Sequence, residues 1–216
     1  MSTKTAIAFI AGVVVFLVLY VGHRVIKRNL SNQLSRKLSD KDYQGYSKLL
    51  DSWRAKYFFK PYNIAYLRLT AAMVKNDTHE IDKCFEAFES TRMKSKEKED
   101  IIYKAFNYYL ALEDYRKAKR YYEFSQNMFN KGLKNEIEIM YNTYCEKGYK
   151  FLDELLKSTE EMPLSYRTAN YSIISQMYEN KGDKKNAEEF LNKAREAAKE
   201  VYTELEKQKE EEQQEE

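Results

Sequence analysis

Five turns recur along the chain at a nearly constant spacing, and this regularity constrains the fold more than any other feature. Each turn precedes a helical run in which apolar residues return every three or four positions. The first residues after the turns are separated by 35, 37, 34 and 35 positions: Tyr43, Thr78, Tyr115, Tyr149 and Lys184. A period of this length is typical of stacked helical units, each of which buries its apolar face against its neighbours.

The clearest unit is the stretch YENKGDKKNAEEFLNKAREA, residues 178–197. Gly182 and Asp183 form its turn, and Ala187, Leu191 and Ala194 follow on one stripe of the next helix. Small alanines on a buried face indicate that a second helix crosses close to the first.

A helix on each side of a turn, repeated about every 34 residues, resembles the tetratricopeptide repeat (TPR). The resemblance covers about residues 25–204. It is carried best by the last unit and next best by the third: Tyr171, Ile174, Ser175, Tyr178, Gly182, Ala187, Leu191 and Ala194, then Ile102, Ala105, Tyr109, Asp114, Tyr115, Ala118 and Tyr122. The resemblance implies an all-α fold, a right-handed α-solenoid of about five TPR-like helix pairs.

The other units depart from the family pattern. In the fourth, the first helix is one residue out of register with the second, which we interpret as a residue lost near Lys147. The first unit shows only an apolar ladder at Ile26, Leu30, Leu34 and Leu38. A non-repetitive helical bundle therefore remains the alternative. With 6 Gly and 2 Pro in 216 residues, an all-β fold is disfavoured because it lacks the necessary turns.

The segment AIAFIAGVVVFLVLYVG, residues 6–22, carries no charge and predicts a transmembrane helix. A cleaved signal peptide and a buried helix are the alternatives. The flanking basic residues Arg24, Lys27 and Arg28 predict that the C-terminal part faces the cytoplasm. The predicted organisation is a short N-terminal segment (1–5), a transmembrane helix (6–22), a repeat domain (23–204) and a charged, disordered tail (205–216).

The sequence offers no recognisable catalytic chemistry. It contains no phosphate-binding loop and no metal-binding motif. Its histidines, His23 and His79, are far apart, and Cys84 and Cys145 fit small core residues better than nucleophiles. We therefore predict no enzyme activity, no cofactor and no metal, and the net charge of +3 gives no case for nucleic-acid binding.

The TPR resemblance implies a concave groove lined by the first helix of each pair. The family positions for that groove carry over to eight residues: Tyr66, Thr70, Tyr103, Asn107, Glu138, Asn142, Ser172 and Gln176. Aromatic rings beside amides suit an extended or helical peptide. The basic residues with which the family clamps a carboxylate are mostly absent from these positions.

The sequence thus predicts a single-pass, membrane-anchored scaffold of bacterial type that binds a protein or peptide partner at the cytoplasmic face of the cell membrane. No small-molecule substrate is evident. An extracytoplasmic accessory protein for secretion or envelope protein quality control is the alternative.

Overall fold

The structure is a computed structural model that describes the backbone of residues 3–214 and the side chains of residues 20–208 and of Glu210. Within this described part the fold is all-helical, which confirms the predicted class. The chain divides into two compact units, Met1–Lys94 and Ser95–Glu216. The predicted repeat domain, 23–204, is therefore shared between two units.

The first unit contains five helices: α1 (Thr3–Ser39), α2 (Tyr43–Asp51), α3 (Trp53–Phe58), α4 (Pro61–Lys75) and α5 (Thr78–Ser90). Pro61 begins α4, where its missing N–H costs no hydrogen bond. The core of this unit contains Leu30 and Leu34 of α1 with Tyr46 and Leu50 of α2. The Tyr46 hydroxyl donates a hydrogen bond of 2.9 Å to the carbonyl oxygen of Leu67, which links α2 to α4.

The second unit contains six helices: α6 (Ser95–Ala111), α7 (Tyr115–Ser125), α8 (Lys131–Met140), α9 (Leu152–Ser158), α10 (Leu164–Lys181) and α11 (Lys184–Gln214). A π-helical turn, Tyr141–Cys145, continues α8, and a 3₁₀ turn, Thr159–Glu161, follows α9. Helix α11 continues into the segment predicted to be a charged tail.

Helices α10 and α11 approach each other closely. The Ser175 hydroxyl donates a 2.7 Å hydrogen bond to the carbonyl oxygen of Ala187, a contact that a large side chain at either position would prevent. Ala187 and Ala194 are buried as predicted, whereas Leu191 is 37% exposed and Phe190 takes its place in the core. The small residues therefore lie at the helix crossing, as predicted. The large residue on the buried face of α11 is Phe190, one position before the predicted Leu191.

Each of the five predicted turns contains one residue with a left-handed backbone. These residues are again 35, 37, 34 and 35 positions apart: Lys41, Asn76, Glu113, Lys147 and Gly182. In four turns the next residue is an aspartate whose carboxylate accepts a hydrogen bond from the backbone N–H three residues later, and so caps the following helix: Asp42, Asp77, Asp114 and Asp183. One turn geometry therefore recurs at the predicted period.

The fourth turn differs from the others by one residue. In the other turns the aspartate N–H bonds to a carbonyl five residues earlier, as from Asp183 to Tyr178 at 2.9 Å, whereas Gly148 bonds to Asn142, six residues earlier, at 2.8 Å. The π-helical turn lies immediately before it, and π geometry places one additional residue in a helical turn. The register change predicted from the sequence is thus a residue gained in the helix, not one lost near Lys147.

The predicted membrane anchor over residues 6–22, and with it the placement in a cell membrane, is contradicted. Among the described residues, no helix has the combined length and apolarity that crossing a membrane requires. The side chains of residues 6–19 lie outside the described part. From Tyr20 onward α1 carries basic residues on its exposed surface and contributes Leu30 and Leu34 to the core of the first unit.

The left-handed turns can be tested with a matched pair of substitutions. Gly182 has φ +84°, and an added Cβ would meet no atom within 4 Å, so Gly182→Ala isolates the backbone cost. We expect it to lower the free energy of unfolding by about 1 kcal/mol. Glu113→Gly removes the same strain at φ +56° and should raise this free energy by about 0.5 kcal/mol. Urea denaturation followed by circular dichroism measures both free energies of unfolding. If the two substitutions changed this free energy in the same direction, the strain assigned to the left-handed residues would be wrong.

Candidate functional site

The second unit contains a groove of about 490 Å³ between α6, α8, α9 and α10. Buried Ile139 and Leu155 form its apolar floor together with Met140 and Ile173. Phenol and amide groups also line the groove: Tyr103, Tyr144, Tyr166, Asn107, Asn135 and Asn170. This combination offers apolar contact area and hydrogen-bonding groups side by side.

One wall of the groove is held by a bond between α6 and α8. The Tyr103 hydroxyl donates a hydrogen bond to the Glu136 carboxylate, and the Asn107 side-chain amide donates to the carbonyl oxygen of Tyr103 at 2.9 Å. Burial, reinforced by Glu136, raises the pKa of Tyr103 to about 12. Tyr103 therefore keeps its proton at neutral pH and remains a hydrogen-bond donor.

The opposite edge is fixed by amide and guanidinium contacts. The Asn170 amide donates to the Thr159 hydroxyl at 3.2 Å and to the Met162 sulfur at 3.1 Å. Arg167 donates through Nε to the carbonyl oxygen of Met162 at 2.7 Å. These bonds attach the chain between α9 and α10 to α10 itself, so Met162 is held at the groove.

The charged groups that line the groove are acidic. Glu136 and Glu154 contribute carboxylates, and the lining side chains include no lysine or arginine. The groove is therefore suited to neutral or cationic groups. A carboxylate bound against the lining would meet these two negative charges, while the Arg167 guanidinium at the edge bonds the carbonyl oxygen of Met162.

The predicted groove residues fall into three groups. Tyr103 and Asn107 line the groove of the second unit. Tyr66 and Thr70 belong to α4 in the first unit, where the Thr70 hydroxyl donates to the Tyr66 carbonyl oxygen at 3.0 Å.

The other four predicted residues lie in the second unit but outside the groove lining. Glu138 pairs with Lys150 at 3.3 Å, and the Asn142 amide donates to Glu146 at 3.0 Å. Ser172 donates to the carbonyl oxygen of Thr168 at 3.1 Å, and Gln176 donates to Asn180 at 3.2 Å. Each of these four side chains is therefore bonded to a nearby residue of the second unit.

The π-helical turn explains which residues of α8 the sequence missed. Glu136 and Met140 line the groove, two positions before the predicted Glu138 and Asn142. The lost residue assumed from the sequence shifts the predicted groove positions of α8 towards the C terminus. The residue gained in the π-helical turn shifts them towards the N terminus instead. The contributions of Glu154 and Met162 had no signal in the repeat pattern, because they come from α9 and the connection after it.

The predicted basic residues Arg24, Lys27 and Arg28 are exposed on α1 in the first unit. Lys27 Nζ lies 5.9 Å from the ring centroid of Phe59. They take no part in the groove of the second unit.

The two cysteines have poorly ionised thiols. Burial raises the pKa of both Cys84 and Cys145 to about 11, so the nucleophilic thiolate is scarce at neutral pH. Over the described residues, no group of three or more His, Cys, Asp or Glu side chains is arranged to hold a metal ion.

Comparison of the chain with models of known families, with curated proteins and with solved structures finds no match. The functional interpretation therefore rests on the geometry and charge of the described surfaces. Among these, the groove of the second unit combines a defined shape with polar side chains, and its charged lining residues are both acidic.

The burial of the thiols has a measurable consequence. With a pKa near 11, the thiolate fraction at pH 8 is about 100-fold smaller than for a thiol with a pKa of 9.0. We expect native Cys84 and Cys145 to react with iodoacetamide about 100-fold more slowly than in urea, as measured by mass spectrometry of peptides. Fast alkylation of either native thiol at pH 8 would contradict this assignment.

Proposed function

We propose that this chain is a non-catalytic adaptor of TPR-like construction, a right-handed α-solenoid that binds a segment of a partner protein. The bound segment lies in the groove of the second unit. The observation that carries the proposal is the groove itself, which joins an apolar floor, fixed phenol and amide groups, and two carboxylates in one concave surface.

The recurring turn geometry supports the TPR-like part of the proposal. Left-handed residues separate helices that contact each other in four cases: α1 with α2, α4 with α5, α6 with α7, and α10 with α11. A helix pair of this kind cannot bury its apolar face alone and is stabilised by its neighbours in a stack.

The chemistry of the lining supports a peptide that carries a basic residue. Ile139, Leu155 and Ile173 favour an apolar side chain, and amides such as Asn107 can bond the peptide backbone. Glu136 and Glu154 favour a lysine or arginine next to that apolar residue. A guanidinium group binds a carboxylate with two parallel hydrogen bonds, which gives direction as well as affinity.

Selection from a random 12-residue peptide library tests the proposal. We expect the selected peptides to share a lysine or arginine beside an apolar residue. In the isothermal titration of one selected peptide, Glu136→Gln should weaken binding about tenfold, because glutamine can still accept the Tyr103 bond but carries no charge. Glu196→Gln, an exposed substitution on α11, is the matched control and should leave the affinity unchanged.

A second variant separates the groove from the rest of the surface. Ile173→Asp places a charge on the apolar floor and should abolish binding of the selected peptide, while circular dichroism verifies that the helices persist. Unchanged binding by a folded Ile173→Asp variant, or selection of acidic peptides, would contradict the proposed function.

A further inference from the structure

The first unit presents a second concave surface, the α1–α3 groove, of about 530 Å³. Ile26, Asn29 and Gln33 of α1 form one side, and Trp53 and Tyr57 of α3 form the other. Trp53 is 71% exposed and Tyr57 is 73% exposed. Two large aromatic side chains one helical turn apart thus stand in solvent beside an apolar cleft.

Basic residues predominate in the segments that form this groove. Residues 20–39 contain five basic residues and residues 52–60 contain three, and neither segment contains an aspartate or a glutamate: Arg24, Lys27, Arg28, Arg36, Lys37, Arg54, Lys56 and Lys60. Asp40 and Asp42, just beyond α1, pair with Arg36 and Lys37. Of the other six cations, Arg54 lines the groove and Lys27 lies beside it over Phe59, and these two form a positive rim, although the whole chain has a net charge of only +3.

Two of these cations lie over aromatic rings. The Arg54 guanidinium carbon lies 5.6 Å from the Trp53 ring centroid, and Lys27 Nζ lies 5.9 Å from that of Phe59. Because Lys27 and Arg54 are both exposed, they can also bind carboxylates.

We propose that the α1–α3 groove binds an acidic, amphipathic helix of a partner protein. Ile26, Asn29 and Gln33 lie on one face of α1 at spacings of three and four residues. From Ile26 to Gln33 the helix rises by seven residue steps, or roughly 10 Å, which equals about two turns of a docked helix. The apolar stripe of that helix contacts Ile26 and the rings of Trp53 and Tyr57, and its acidic flanks face the cations of the rim.

The shape and chemistry of the groove favour a helix over a single-stranded nucleic acid. Besides its rings, the groove is lined by the aliphatic side chains Ile26 and Leu30, and Ile26 is 43% exposed. A nucleic acid would use the exposed rings as stacking platforms but would leave the apolar surface of Ile26 in water. An oligonucleotide is therefore the competing ligand in the test.

This inference goes beyond the proposed function because it concerns other residues, another compact unit and a ligand of opposite charge. Loss of peptide binding in the groove of the second unit would leave it unaffected. Failure of the α1–α3 groove to bind would likewise leave the proposed function standing.

Trp53 is the single tryptophan of the chain, so its fluorescence reports directly on this groove. The probe is a synthetic 18-residue helix without tryptophan, with leucines on one stripe and glutamates on its flanks. We expect a saturable blue shift of Trp53 emission on titration, since docking removes the ring from water. The same helix with lysine in place of every glutamate should give at least a tenfold weaker titration.

Substitutions in the groove have matched controls on the second unit. Tyr57→Glu and Arg54→Glu should each weaken the glutamate helix at least tenfold, whereas Tyr202→Glu and Arg195→Glu, at exposed positions of α11, should not. Circular dichroism verifies folding. Absence of a shift with the glutamate helix, equal binding of both helices, or a shift caused by a single-stranded oligonucleotide alone would overturn the proposal.

Discussion

The whole architecture depends on one residue per turn being held in the left-handed backbone conformation. In four of the five turns the next helix starts two positions after this residue, as at Glu113, whereas after Lys147 it starts at Leu152. For a residue with a side chain this conformation costs roughly 1–2 kcal/mol, and four of the five turns contain such a residue. The aspartate that follows in three of these four turns offsets part of the cost, because capping a helix contributes about 1 kcal/mol.

The groove of the second unit depends on the one turn that breaks this pattern. The fourth turn has no capping aspartate. There, the side-chain oxygen of Asn142 accepts a hydrogen bond of 3.3 Å from the backbone N–H of Lys150. The additional residue of the π-helical turn rotates α8 relative to the regular repeat, which brings Glu136 under the Tyr103 hydroxyl and Met140 into the groove. Irregular helix geometry at the centre of a candidate binding site agrees with the general association of π-helical turns with functional positions.

The sequence predicts the parts of this molecule that depend on local chemistry. Glycine, aspartate and the spacing of apolar residues identify all five turns, and the helical class follows from them. The groove could be predicted only in part: Tyr103 and Asn107 lie on a regular helix, where the repeat spacing holds. Glu136 and Tyr166 could not be predicted, because a π-helical turn has no sequence signature of its own and the connection after α9 follows no repeat. For the apolar segment 6–22 the sequence predicted a feature that the structure does not support. Its composition indicated a membrane helix, but none of the described helices is sufficiently long and apolar to cross a membrane.

The near-zero net charge conceals how the charges are distributed. In the first unit, Lys27 and Arg54 lie beside the aromatic rings of the α1–α3 groove, and in the second unit the groove lining contains two carboxylates and no lysine or arginine. Because like charges repel, the ligand proposed for the groove of the second unit would be disfavoured by the α1–α3 groove, and the acidic helix proposed for the α1–α3 groove would be disfavoured by the other. An adaptor must keep two ligands from competing for one site, and opposite charge on two separate surfaces achieves this without any difference in fold. The proposed adaptor would therefore connect two different partners, with their identity set by a few side chains on each surface.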